Sequence, residues 1–209
     1  RHQDAAKAYL KVLEINPDAG DASLRLASLF GGPLKDHGRA LEFGKHARQA
    51  SPHDPQVAAS LGVIAFQAGN HAWAYSLLQE ANAGLQGDPA MALSLARAAY
   101  ATGRVEEARA AMIRLRKDFP DAAEAVQASV FLELLDLDPS SREGSAMVEG
   151  ILKESPHEVP ALMAKARSSE AGDRKGEAEG LYREVLRLYP DFAPAGPLVA
   201  APRLPRQRG

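Results

Sequence analysis

Metal chemistry could begin at His157-Glu158, because a helical His-Glu-x-x-His sets two imidazoles one turn apart with a carboxylate beside the bound zinc. The fifth position is Ala161, so the second imidazole is missing. The remaining histidines are scattered. His37 and His46 share a segment, but nine residues do not bring them to one helix face. These are surface or turn histidines, and no metal ligand set is expected. Glu106-Glu107 opens a helical stretch that closes on Arg114, Arg116 and Lys117. Acid first and base last is the order that complements a helix dipole. It is a solvated helix rather than an acid–base pair, which needs a cleft to shift its pKa values. The phosphate-cradling glycine loop and the dinucleotide glycine fingerprint are both absent. The chain has no cysteine, which removes thiolate metal sites, cysteine nucleophiles and disulfides together. No catalytic residue, no metal and no cofactor is expected, and the chain is read as a non-enzyme.

Composition narrows the partners. A net charge of −2 and a pI near 6.3 leave no broad basic surface for phosphate backbones, so no nucleic acid is expected. Arg203, Arg206 and Arg208 are too sparse for a nucleic-acid arm and read as a disordered end. No run approaches the roughly 20 apolar residues of a membrane span. The chain opens on Arg1, not methionine, which suggests a fragment or a processed form, so cytoplasmic and periplasmic placement both stay open. Trp73, the single tryptophan, is expected to pack between hairpins.

Residues of 45% apolar and only 6% aromatic character, with alanine and leucine dominant, favour closely packed helices over sheets. Val105, Ala108, Met112 and Leu115 recur at helical spacing. Alanine-type landmarks at Ala5, Ala40, Ala74, Ala108, Gly144 and Ala178 fall 35, 34, 34, 36 and 34 residues apart. Pro17, Pro52, Pro120, Pro156 and Pro190 keep the same beat, and the repeat without a proline in register carries Gln86 there. Leu26-Ala27, Leu61-Gly62 and Leu95-Ala96 pair a large with a small residue where two helices approach. Ser129-Val130 and Lys165-Ala166 keep that pair poorly. Gly31-Gly32-Pro33 and Pro139-Ser140-Ser141 lengthen two turns, while Gly69-Asn70, Thr102-Gly103 and Gly172-Asp173 make the standard ones.

This pattern resembles the tetratricopeptide repeat family, whose hairpins carry the large–small pair, the alanine, an aromatic and a terminal proline. The aromatic survives at Tyr9 and Tyr182 only. The resemblance implies an all-α, right-handed superhelical solenoid of antiparallel helix hairpins over residues 1–192, a half repeat plus five hairpins with eleven helices in all, followed by a frayed or extended tail over 193–209. It also implies a protein–protein interaction scaffold that holds a peptide or protein segment in the concave groove lined by the first helices. The alternative is a non-catalytic repeat region of a larger enzyme or of an envelope or secretion assembly.

Carried over position by position, the groove consists of Leu24 and Ser28, then Ala59, Val63 and Phe66, then Leu93, Arg97 and Tyr100. The later hairpins add Gln127, Phe131 and Leu134, then Met163, Arg167 and Glu170. The lysine and asparagine clamp with which some family members capture chaperone tails is replaced here by alanine, valine, leucine and serine. The apolar wall suits a helix or extended segment with hydrophobic anchors, with the arginines available to an acidic group. The uncovered first helix, with Ala5, Tyr9 and Leu13, implies weak homo-oligomerisation through the N-terminal edge.

Overall fold

Among the described residues, eleven α-helices run between turns at the period of the sequence. They are α1 (His2–Ile15), α2 (Gly20–Gly31), α3 (His37–Ala50), α4 (Pro55–Gln67), α5 (His71–Gly84), α6 (Pro89–Ala101), α7 (Val105–Asp118), α8 (Ala123–Asp136), α9 (Arg142–Glu154), α10 (Val159–Ala171) and α11 (Lys175–Leu188). A 3-10 turn at Ala193–Ala195 follows. The computed structural model describes residues 1–85, 87–138 and 141–195, and no strand occurs among them. Gln86, Pro139-Ser140, the prolines after residue 195 and the three tail arginines lie outside the described residues.

Local chemistry sets the helix ends. Asp54 and Asp88 accept hydrogen bonds from Gln56 N and Ala90 N at 2.8 and 2.9 Å, and each is followed by a proline at the first helical position. Gly69 and Gly103 take left-handed φ values of 81° and 79° in the standard turns. Two further turns put a non-glycine residue in the left-handed region. In the fifth hairpin the glycine comes one residue early, Gly172 has φ −83°, and Asp173 takes φ 57° instead. In the lengthened first turn the left-handed residue is Lys35, φ 52°, rather than either glycine.

The chain packs as two compact units, Arg1–Ala125 and Val126–Gly209. In the first unit α2 packs on α3, α4 on α5 and α6 on α7, giving three hairpins, with α1 against α2. The first helices of successive hairpins also touch, α2 with α4 and α4 with α6. No comparable backbone approach occurs between α3 and α5 or between α5 and α7, which only long side chains bridge. Inner helices in contact and outer helices apart curve this unit toward α2, α4 and α6.

Small residues permit the approach. Ala40, Ala74 and Ala108 are wholly buried. A Cβ on Gly44 would lie 2.7 Å from Leu61 Cδ1, and one on Gly62 2.7 Å from Leu78 Cγ. In α1 the buried alanine is Ala6, not Ala5, with Leu10 and Leu13 partly buried against the cluster of Leu26, Ala27 and Phe30. The landmark therefore moves by one residue and the step to Ala40 becomes 34. Tyr9, though it also packs there, is no longer at the aromatic position. In α8, Val130 is 38% exposed while Ala128 is wholly buried. A branched side chain cannot occupy the close approach that Ala27 and Gly62 fill, and the helix turns its alanine inward instead.

In the second unit α10 packs on both α9 and α11, around a core of Leu134, Val148, Ala161 and Ala164. Phe192 and Ala195 are buried, so packing continues past residue 193, where the sequence places the start of a loose tail.

Candidate peptide-binding surface

In the first unit Leu24, Ala59, Phe66 and Arg97 are half-buried, while Ser28 and Val63 are exposed. Val63 and Arg97 hold equivalent places on α4 and α6, which touch, and Arg97 forms no hydrogen bond or ion pair among the described residues. The ring of Phe66 meets His71 edge-on at 5.0 Å, which fixes its orientation.

Leu93 and Tyr100, assigned to the groove from the sequence, are instead core residues, 7% and 2% exposed. Their neighbours explain it. Ala98, Ala99 and Ala101 are at most 1% exposed, so α6 sinks among its neighbours and covers more of its circumference than a two-sided helix would. In the second unit Phe131, Leu134 and Met163 are likewise buried, and Gln127 is exposed. Arg167 has a structural partner. Its Nη2 donates to the carbonyl of Leu134 at 3.3 Å, in the last turn of α8, where carbonyls lack helical partners. Glu170 accepts from the Tyr182 hydroxyl at 2.9 Å. Burial first, and then this carboxylate, pushes the Tyr182 pKa up to about 12.

Several polar ties were not visible as such in the sequence. Tyr75 donates to Glu107 at 2.6 Å with the Arg104 guanidinium 4.4 Å above its ring. Glu107, legible as a dipole-matched acid, thus also joins α7 to α5. Arg48 reaches from α3 to both oxygens of Glu80 on α5, at 2.6 and 2.7 Å. Ser23, wholly buried, lies 2.7 Å from His46 Nδ1. Trp73 packs partly buried beside Leu61 and Leu77, with Lys45 5.5 Å from its ring centroid. Among the described residues no three His, Asp or Glu side chains gather as a metal site, and His157 pairs with Glu184 at 3.4 Å. No described helix is long and apolar enough to cross a membrane.

Comparison with known families follows the same period. Residues 65–130 match a tetratricopeptide repeat model and residues 1–55 match a second one, together more than half of the chain. The chain belongs to the tetratricopeptide repeat family. Solved structures agree on the all-α repeat fold. A tetratricopeptide repeat protein from Parabacteroides merdae is 16% identical, with TM-score 0.58 over 95% of this chain and 76% of its own. YrrB, described as a tetratricopeptide repeat protein with an unusual peptide-binding site, is 14% identical, with TM-score 0.54 over 91% of this chain and 96% of its own. PilF of Pseudomonas aeruginosa is 15% identical, with TM-score 0.51 over 94% and 98%. No curated protein matches at the level of sequence. Tetratricopeptide repeat arrays are in general non-catalytic scaffolds for protein interaction, and that is the class of function this fold supports.

Proposed function

We propose that the first unit of this tetratricopeptide repeat protein binds a peptide segment along α2, α4 and α6. The contact pattern of these three helices carries this reading: they touch one another while their partners stand apart, which makes theirs the concave side. Exposed Val63, half-buried Ala59 and Phe66, and Arg97, which is unpaired among the described residues, give that side apolar anchors beside a cation. A segment with apolar residues at helical or alternate spacing and one carboxylate matches it. The peptide-binding site named for YrrB, on the same fold, supports the same use.

The test is affinity capture with the whole chain, followed by binding measurements on the identified partner. Arg97→Glu is expected to weaken binding by more than about 1.4 kcal/mol, or tenfold, without unfolding the protein. Arg116→Glu, on the exposed side of α7, is expected to do little. Equal losses from the two substitutions would remove the groove assignment. A second reading, weak self-association through α1, is favoured by Val12 and Ile15, which are 42% and 86% exposed.

A further inference from the structure

The two sides of α1 differ in what they meet. One packs inward, with Ala6, Leu10 and Leu13 against the cluster of Leu26, Ala27 and Phe30. On the side turned away, Ala5, Ala8, Val12 and Ile15 follow at steps of three, four and three residues. Such steps are the a and d places of a heptad, which line one seam of a helix. Exposure rises along the seam: Ala5 is half-buried, Ala8 is exposed, Val12 is 42% exposed and Ile15 86%. Among the described residues α2 is the helix in extensive contact with α1, and it lies on the inward side.

The charges beside the seam are ordered too. The g place, just before a, holds Asp4 in one heptad and Lys11 in the next. Lys11 is exposed and forms no ion pair among the described residues. Asp4 Oδ2 lies 3.1 Å from the terminal ammonium of Arg1, but both groups stand in open water, where such a pair contributes little. The other edge of the seam, the e place, holds Tyr9, which packs toward the cluster beneath α2. The open edge thus reads acid and then base, a pattern complementary to its own reverse.

We propose that α1 pairs antiparallel with α1 of a second copy, about a two-fold axis at Ala8. This rests on the self-association reading given above and specifies its geometry. In an antiparallel helix pair the two g edges run side by side. Asp4 of each copy then meets Lys11 of the other, and the two-fold forms both contacts together. A parallel pair would set g against e, with Asp4 on Tyr9 and Lys11 on Asn16 and no ion pair formed. Ala8 faces its own copy at the axis, where a small side chain lets the backbones approach, and Val12 faces Ala5 on either side. The same face is used by both copies, so association stops at the dimer. One helix of 14 residues per copy buries less than the roughly 1,200 Å² of stable interfaces, so the dimer belongs to high protein concentration.

Sedimentation equilibrium of the whole chain at low ionic strength tests this, with circular dichroism to follow the helix in each variant. The parent is expected to reach a dimer and nothing larger. Asp4→Lys and Lys11→Glu each set like charges against one another at both contacts, and each is expected to weaken the dimer at least about fivefold. The double variant is expected to return to within about threefold of the parent. It carries both substitutions, so its recovery separates a lost contact from a weakened helix. The chain has no cysteine, so Ala8→Cys and Ile15→Cys each introduce a single thiol. A short bismaleimide is expected to join Ala8→Cys to its copy. It is expected to leave Ile15→Cys unjoined, because fourteen residues of helical rise, about 21 Å, separate the two thiols. A monomer at every concentration would overturn this pairing together with the self-association reading. A dimer that ignores the charge changes, or that joins Ile15→Cys as readily as Ala8→Cys, would overturn the pairing and leave self-association standing. Species larger than a dimer would mean that α1 enters a different face of the next copy, and would overturn it as well.

Discussion

Glycine does opposite things at two places in these helices. At Gly62 a methyl group would sit 2.7 Å from Leu78 Cγ and 3.3 Å from Leu77 Cβ, inside a closed contact. Gly62→Ala therefore sets a gain in helix propensity of up to about 1 kcal/mol against overpacking of roughly 1–3 kcal/mol, and a net loss of stability is expected. At Gly180 nothing lies within 4 Å, so Gly180→Ala is expected to raise stability by about 0.5–1 kcal/mol. Urea midpoints of the two variants check the pair; a Gly62→Ala protein as stable as the parent would place α4 and α5 further apart than described. Tyr182 gives a second expectation. Its folded pKa is raised to about 12, above the ordinary value of 10, so its contribution is complete below pH 10 and is lost as pH rises toward 12. Tyrosinate absorbance should show a late-titrating tyrosine that Tyr182→Phe removes, and a pH-stability slope between 10 and 12 that weakens in the same variant. These residues also mark what the sequence could convey. The 34-residue beat places the close alanines, because a small side chain is required wherever two backbones approach. It does not say that Tyr100 turns inward or that Arg167 serves a helix end, since both depend on what neighbouring helices leave uncovered.

Helix number and turn position were legible because each turn carries its own chemistry, as at Asp54-Pro55 and Asp88-Pro89. Rotation about the helix axis was less so. Adjacent residues lie about 100° apart around a helix, so counting one residue early exchanges Ala6 for Ala5 and points to a different side. In α8 the phase slips the other way and by two residues, with Val130 counted where Ala128 is buried. The correction to α1 alters its free surface as well. Tyr9 and Leu13 pack inward, and the apolar residues left exposed are Val12 and Ile15. Concentration-dependent light scattering is expected to show weak self-association, and Val12→Glu with Ile15→Lys is expected to abolish it. A strict monomer at high concentration with α1 well ordered would end that reading.

At the scale of the molecule, packing falls into two units, and the only tryptophan reports on the first. Repeat arrays are stabilised by each repeat and its neighbours rather than by one central core. Trp73 fluorescence and far-UV circular dichroism are therefore expected to give urea transitions with different midpoints, since the second signal includes α9–α11 and the first does not. Superimposable curves would mean that both units unfold together. The curvature of the first unit has a mechanical side. Its inner row is held by apolar contact, while across its outer row the long side chains of Arg48 and Glu80 span the gap from α3 to α5. Dissolved salt screens the outer tie, and sulfate or phosphate salts tighten apolar contact rather than loosen it. The two faces of this bent array therefore answer the same ions in opposite directions, and the solvent becomes a means of flexing it.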